Sequence, residues 1–246
     1  MRVLVFVVYD GSCFYGSAPQ KDRFTFLGFV ESILSTKGIR FSNLSGSSRT
    51  DRGVHALGSS FHFDIEGEFW NEEKVKDILN SSSRGMFYIS KVFFVKNDFH
   101  SRYAASKRSY RYIFSDSVTP FERNYVSCVE EFDIEYMKSL AWLFEGEHDF
   151  SFFKKEGSDT KSSKREIYKV RVYKYGKYGV FSVEGNGFLR SQVRLMVAFL
   201  LSAKKLGLGE IELKKQLLCQ KKYITKPASP AGLYLRRVYY EQGTLF

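Results

Sequence analysis

VLVFVVY (3–9) is built almost wholly of β-branched and aromatic residues. That is the make-up of a strand buried on both faces in the middle of a sheet. Asp10-Gly11-Ser12 ends it as a turn. Beyond the turn, Phe24, Leu27, Val30, Ile33 and Leu34 fall at helical spacing, with Gly38 as a stop, so 24–36 reads as a helix packed on that strand. Phe61 and Phe63 alternate with His62 and Asp64, predicting a second strand at 59–65. A polar helix over 71–81 and strands at 86–95 and 109–114 complete the first half and open the second.

The second half repeats the plan loosely. A helix over 133–145 precedes strands at 167–175 and 179–185 joined by a turn at 175–178. A long helix follows at about 188–205, then a shorter one near 209–219 and a last strand, LYLRRVYY (233–240). Strand and helix elements recurring in both halves point to an internal duplication and to halves at 1–105 and 106–246. KKEGSDTKSSKR (154–165) has no periodicity and is charged and Ser-rich, the pattern of a mobile loop.

With 246 residues and 43% hydrophobic content, the chain can bury one large core or two modest ones. Its 38 Lys+Arg against 27 Asp+Glu leave a net charge of +11, which favours a polyanionic partner without choosing among nucleic acid, anionic membrane and acidic protein. Aromatic residues reach 17% and interleave with the basic ones, a pattern that supplies stacking surfaces beside phosphate contacts. The three cysteines lack metal-ligand spacing and fit a reducing compartment. VLVFVVY is too short to span a membrane and has no small-residue cleavage site after it, so the expectation is a soluble, cytoplasmic chain.

Three stretches carry chemistry. In SRTDRGVHA (48–56), Arg49 and Arg52 flank Asp51. Cations beside a carboxylate favour its ionised form, which can serve as a nucleophile or base. A lone Asp-x-Gly turn more often only bonds its own backbone amides. In the helix expected over 188–205, Arg190 and Arg194 stand four residues apart, a like-charge pairing that a phosphate or a carboxylate would offset; two solvated arginines give the same pattern. Asn186-Gly187 is the expected N-cap of that helix. In FHSRYAASKRSYRYIF (99–114), Arg102, Lys107, Arg108 and Arg111 alternate with Tyr103, Tyr110 and Tyr112, and strand periodicity puts Tyr110 and Tyr112 on one face. Residues 161–177 form a further basic stretch with Tyr168, Tyr173 and Tyr175. The four histidines show no metal-binding spacing, and no phosphate-binding or dinucleotide-binding glycine loop is present, so neither a metal nor a cofactor is expected.

Taken in order along nearly the whole chain, these segments resemble the TruA family of tRNA pseudouridine synthases. YDGSCFYG (9–16) looks like the family's opening strand and turn, SRTDRGVHA like its nucleophile loop, and FHSRYAASKRSYRY (99–112) like its Phe-His-x-Arg and Arg-x-Tyr segment. GEHDFSFF (146–153), GNGFLRSQVRLMV (185–197) and SPAGLYLRRVYY (229–240) are similar to its later motifs. The resemblance implies an α+β fold in which two similar halves build a mostly antiparallel mixed sheet flanked by helices, with the active cleft between them. It implies isomerisation of uridine to pseudouridine at positions 38, 39 and 40 of the tRNA anticodon stem-loop, by a homodimer that uses no cofactor. Asp51 would be the nucleophile or base, Tyr110 would stack on the target base and assist proton removal, and Arg194 would pair with Asp51. Arg49 would hold the flipped nucleotide and Leu233 would line the pocket, with Arg102 and Arg108 contacting substrate. The alternative is a noncatalytic tRNA-binding protein on the same scaffold. The chain departs from the family pattern in SAPQ (17–20), where an aromatic residue and Gln are usual, in Arg52, where a small residue or Lys is usual, and in Ser48, where Gly is usual.

Overall fold

Arg2–Tyr9 forms β1 in the computed structural model, which describes residues 1–157 and 162–245. Contacts divide the chain into two units, residues 1–106 with 235–246, and residues 107–234. The first unit runs to residue 106 and also takes in residues 235–246.

In the first unit, β1 is followed by α1 (Phe26–Thr36), β2 (Phe41–Gly46), β3 (His55–Ile65), α2 (Glu72–Ser81) and β4 (Phe87–Val95). The apolar run earns its central place, because β1 pairs antiparallel with β3 on one side and β4 on the other. Val3, Leu4 and Val5 are all buried. β2 adds to the far edge of β3, and the final strand's residues from Leu235 run on the same side. A Cβ on Gly58 would stand 2.5 Å from the Arg236 carbonyl oxygen, so the returning chain needs a glycine there.

Both helices of this unit start on a side-chain cap. Thr25 accepts from the Gly28 amide at 3.3 Å and Asn71 from the Lys74 amide at 2.8 Å. Gly38, at φ +68°, follows the end of α1 as expected for a C-terminal glycine. Phe26 of α1 stacks on Tyr9 at 4.5 Å and meets Phe61 and Phe87 edge-on, so helix and sheet share an aromatic core. α2 is polar and buries only Val75 and Leu79. Asn80 ties it down by accepting from the Ile89 amide at 2.7 Å and donating to the Ile89 carbonyl at 3.1 Å.

The second unit contains β5 (Ala105–Ser115), β6 (Ser127–Cys128), α3 (Ile134–Ala141), β7 (Gly146–Asp149), β8 (Lys164–Tyr175), β9 (Tyr178–Gly185), α4 (Gln192–Ala203), α5 (Glu210–Leu217) and the start of β10 (Leu233–Tyr240). Strands β5, β9, β8 and β7 pair antiparallel in that order, and β6 pairs parallel with β5. The β8–β9 hairpin turns through Gly176 at φ +57°, where the sequence places its turn. The core holds Tyr112 and Phe114 of β5, Phe181 of β9 and Phe199 of α4, all with no exposed surface. Each such aromatic contributes roughly 1.5–3 kcal/mol by leaving water. Each unit is thus a mostly antiparallel sheet carrying helices, which is the α+β class expected.

Two expected helices are shorter in the structure. The one over 133–145 ends at Ala141 and continues as a tighter turn, Trp142–Phe144. The one over 188–205 begins only at Gln192, because Ser191 adopts a left-handed conformation (φ 58°) that a helix cannot include. Leu189 and Arg190 therefore precede the helix. Of the expected loop at 154–165, residues 158–161 lie outside the described residues, and Lys164 and Arg165 already belong to β8.

Candidate active site

The segment 47–54 joins β2 to β3 and carries Asp51. Pairing of β2 with β3 makes it a hairpin connection, although FSNLSG is too polar to announce a strand. The loop is held along its length by residues of the opening turn. Tyr9 and Thr50 join their hydroxyls at 2.9 Å in a buried bond. The Ser17 hydroxyl accepts from the Thr50 amide at 2.8 Å and reaches the Ser48 carbonyl at 3.2 Å, and the Ser17 amide donates to the Thr50 carbonyl at 3.2 Å. Past the aspartate, the Val54 amide closes a turn onto the Asp51 carbonyl at 3.2 Å through Gly53, at φ +77°.

The far end of the loop is anchored by His55, which is buried and accepts from the Gly11 amide at 3.1 Å on Nδ1. A Cβ on Gly11 would collide with the Val54 carbonyl, so only glycine permits this approach. Asp51 itself is half-buried, and Arg49 and Arg52 on either side are exposed. The guanidinium of Arg52 lies 4.1 Å above the ring of Tyr15. Of the other expected residues of this unit, Arg102 is half-buried, with its amide donating to His100 Nδ1 at 3.2 Å and its guanidinium 5.9 Å from the exposed ring of Tyr103.

In the second unit, Tyr110 and Tyr112 do share one face of β5, as strand periodicity requires. Both are buried. Tyr110 lies opposite Val183 of β9 and meets Phe188 edge-on at 5.1 Å. Arg108, two residues earlier on the same face, donates to the Asn186 carbonyl at 3.2 Å. Lys107 pairs with Glu184 at 2.7 Å.

Arg194 sits in the first turn of α4, a helix buried almost all round, and it is the half-buried cation of that turn. Its Nε donates to the Ala228 carbonyl at 2.7 Å, while the Ala228 amide donates to the Arg194 carbonyl at 3.1 Å. Tyr112 donates to the next carbonyl, Ser229, at 2.9 Å. Burial pushes the Tyr112 phenol up to about 12, so it remains a donor throughout the neutral range. Leu233 is buried at the head of β10, with its amide on the Pro230 carbonyl at 2.9 Å.

The expected stacking of Arg190 over Arg194 does not occur. Arg190 lies in the turn before α4 and donates to the Glu156 carbonyl at 3.2 Å. Nor is Asn186 the helix cap: its side chain accepts from the Glu166 amide at 3.2 Å, and Gln192 holds the turn by accepting from the Leu189 amide at 2.8 Å. Among the described residues, no group of three or more His, Cys, Asp or Glu could hold a metal ion. No helix there is long and apolar enough to cross a membrane.

A family model described as tRNA pseudouridine synthase matches residues 140–241. A protein of Campylobacter jejuni (strain RM1221) is 39% identical over 241 residues, covering 98% of this chain and 100% of its own length. A Helicobacter hepaticus protein is 38% identical, covering 95% of this chain and 97% of its own. One from Wolinella succinogenes is 35% identical, covering 97% and 94%. All three relatives bear the name tRNA pseudouridine synthase A.

Proposed function

The chain belongs to the tRNA pseudouridine synthase A family, and from that premise we propose that it isomerises uridine to pseudouridine in tRNA, at positions 38, 39 and 40 of the anticodon stem-loop. The observation that carries this reading is identity of 39% along 98% of the chain and the full length of a relative. Substrate and product are isomers, so the step balances within one nucleotide: the N1–C1′ bond breaks, a C5–C1′ bond forms, the C5 proton leaves and N1 gains one.

Asp51 is the carboxylate proposed to attack or deprotonate, on a loop whose neighbours Ser48 and Thr50 are fixed by Ser17. Preorganisation of that kind places a reacting group without a conformational search at each turnover. The target base has to leave its stack before a carboxylate can reach it. Tyr110 is proposed to stack on that base and assist removal of the C5 proton, Arg49 to hold the flipped nucleotide, and Arg194 to serve as the catalytic cation. Leu233 lines the base pocket, and Arg102 and Arg108 contact the RNA backbone. We further propose that the enzyme works as a homodimer in the cytoplasm without a cofactor.

The test is tritium release from C5-labelled uridine in a tRNA with uridines at 38–40. Wild-type protein releases tritium, whereas Asp51→Ala and Asp51→Asn bind the tRNA and release none. Release by Asp51→Ala sinks the assignment of Asp51. Tight binding by wild type without any pseudouridine moves the protein to a noncatalytic tRNA-binding role.

A further inference from the structure

We propose that Arg52, Arg23 and Tyr15 form a phosphate-binding subsite for the RNA strand that flanks the reacting nucleotide, an inference that rests on the tRNA-modifying role above. Arg52 directly follows Asp51 in the chain. Its guanidinium carbon lies 4.1 Å from the centre of the Tyr15 ring, and that of Arg23 lies 5.1 Å from the same ring. Tyr15 is 37% exposed and both arginines are exposed, so the cluster faces solvent beside the aspartate loop. Among the described residues, neither guanidinium has an ion pair or a hydrogen bond. Two like charges gathered round one ring repel, and neither is in an ion pair with a carboxylate among the described residues; a bound anion offsets that repulsion.

The backbone holds this cluster in place. Gly16, at φ +95°, lies so close to the loop that a Cβ there would be 2.8 Å from the Thr50 carbonyl oxygen. The Tyr15 amide donates to the Phe24 carbonyl at 2.8 Å, and Gln20 donates to the Tyr15 carbonyl at 2.9 Å, which closes the turn that carries Arg23. The ring and both cations are thus fixed on segments tied to one another. A guanidinium held over an aromatic ring still has N–H groups to offer phosphate oxygens in a bidentate fork, which suits Arg better than Lys. Extruding a base brings the backbone of its neighbours past the residue next to the carboxylate.

The experiment compares the full-length protein with Arg52→Ala, Arg23→Ala, the double variant and Arg52→Lys, measuring Kd for one tRNA across a salt series. Each Arg→Ala change is expected to weaken binding roughly three- to tenfold near 0.1 M salt and to lower the slope of log Kd against log salt by about 0.7–1. Arg52→Lys is expected to restore the slope while recovering only part of the affinity. A slope unchanged in the double variant overturns the proposal, and so does weaker binding at unchanged slope, which marks base stacking instead. Pseudouridine formation by wild type on the same tRNA is followed in parallel. If the slopes fall as expected but wild type forms no pseudouridine, the subsite stands and the enzymatic reading fails.

Discussion

The hydroxyl of Ser17 accepts the Thr50 amide at 2.8 Å, one residue before the aspartate proposed to react. Ser17 is 4% exposed, so removing its oxygen leaves a buried amide without that partner. Ser17→Ala is expected to cost about 1–2 kcal/mol of stability. The freed loop is also expected to lower kcat about tenfold with little change in KM. Tritium release under saturating tRNA checks this; an unaltered kcat removes Ser17 from the set of positioning residues.

Tyr112 acts on Arg194 through the strap 227–230, where its hydroxyl holds the Ser229 carbonyl and Ala228 holds the arginine by two hydrogen bonds. Tyr112→Phe removes one bond and no packing. The expected outcome is a loss of about 1 kcal/mol in urea unfolding, together with a fall in kcat that exceeds any rise in KM. Equal stability and equal kcat for the two proteins contradicts this linkage.

Gly11→Ala drives a Cβ into the Val54 carbonyl at the end of the aspartate loop. Backbone on both sides of the clash cannot yield cheaply, so destabilisation by more than about 3 kcal/mol is expected. Thermal unfolding followed by circular dichroism reads it directly, and a melting temperature within a degree or two of wild type refutes the close packing described for Gly11.

His62 gives the fold a pH dependence. The ring is 1% exposed and its pKa falls to about 4, through burial first and then the nearby charges of His100 and Arg2. Nδ1 accepts from the Ser101 amide at 3.2 Å, an arrangement that requires an unprotonated nitrogen there. The unfolded chain binds a proton near the ordinary value of about 6.5 while the folded one does not. The stabilisation is therefore complete above about pH 6.5 and is lost as pH falls towards 4, by up to roughly 3 kcal/mol. Urea midpoints measured from pH 4 to 7 are expected to rise with pH, and His62→Asn is expected to flatten that rise.

Much of the fold follows from local pattern because the pattern and the burial agree. The VLVFVVY run needs neighbours on both sides, and β3 and β4 supply them. Strand periodicity in β5 likewise places Tyr110 and Tyr112 on one face. The pattern fails where a single backbone conformation or a polar strand intervenes. Ser191 at φ 58° delays α4 past Arg190, dissolving the expected arginine pair, and β2 is recruited by β3 despite its Ser, Asn and Gly. Asp51 stands out through the ordered resemblance of its loop. Its support does not, since Ser17 is a departure whose purpose shows only once Thr50 lies against it. Arg52 follows the same logic: its neighbour in sequence is Asp51, but its neighbour in space is Tyr15.

The return of residues 235–240 to the side of β3 bears on how the protein is made. The ribosome delivers residues 1–106 early, yet that unit lacks its last strand until residue 240 has left the exit tunnel. Until then a sheet edge stays open to pairing with other chains. Release of the growing chain before that point leaves the aspartate-bearing unit without its last strand, so a nonsense codon close to residue 235 exposes the edge of β3 in the unit that carries the aspartate loop.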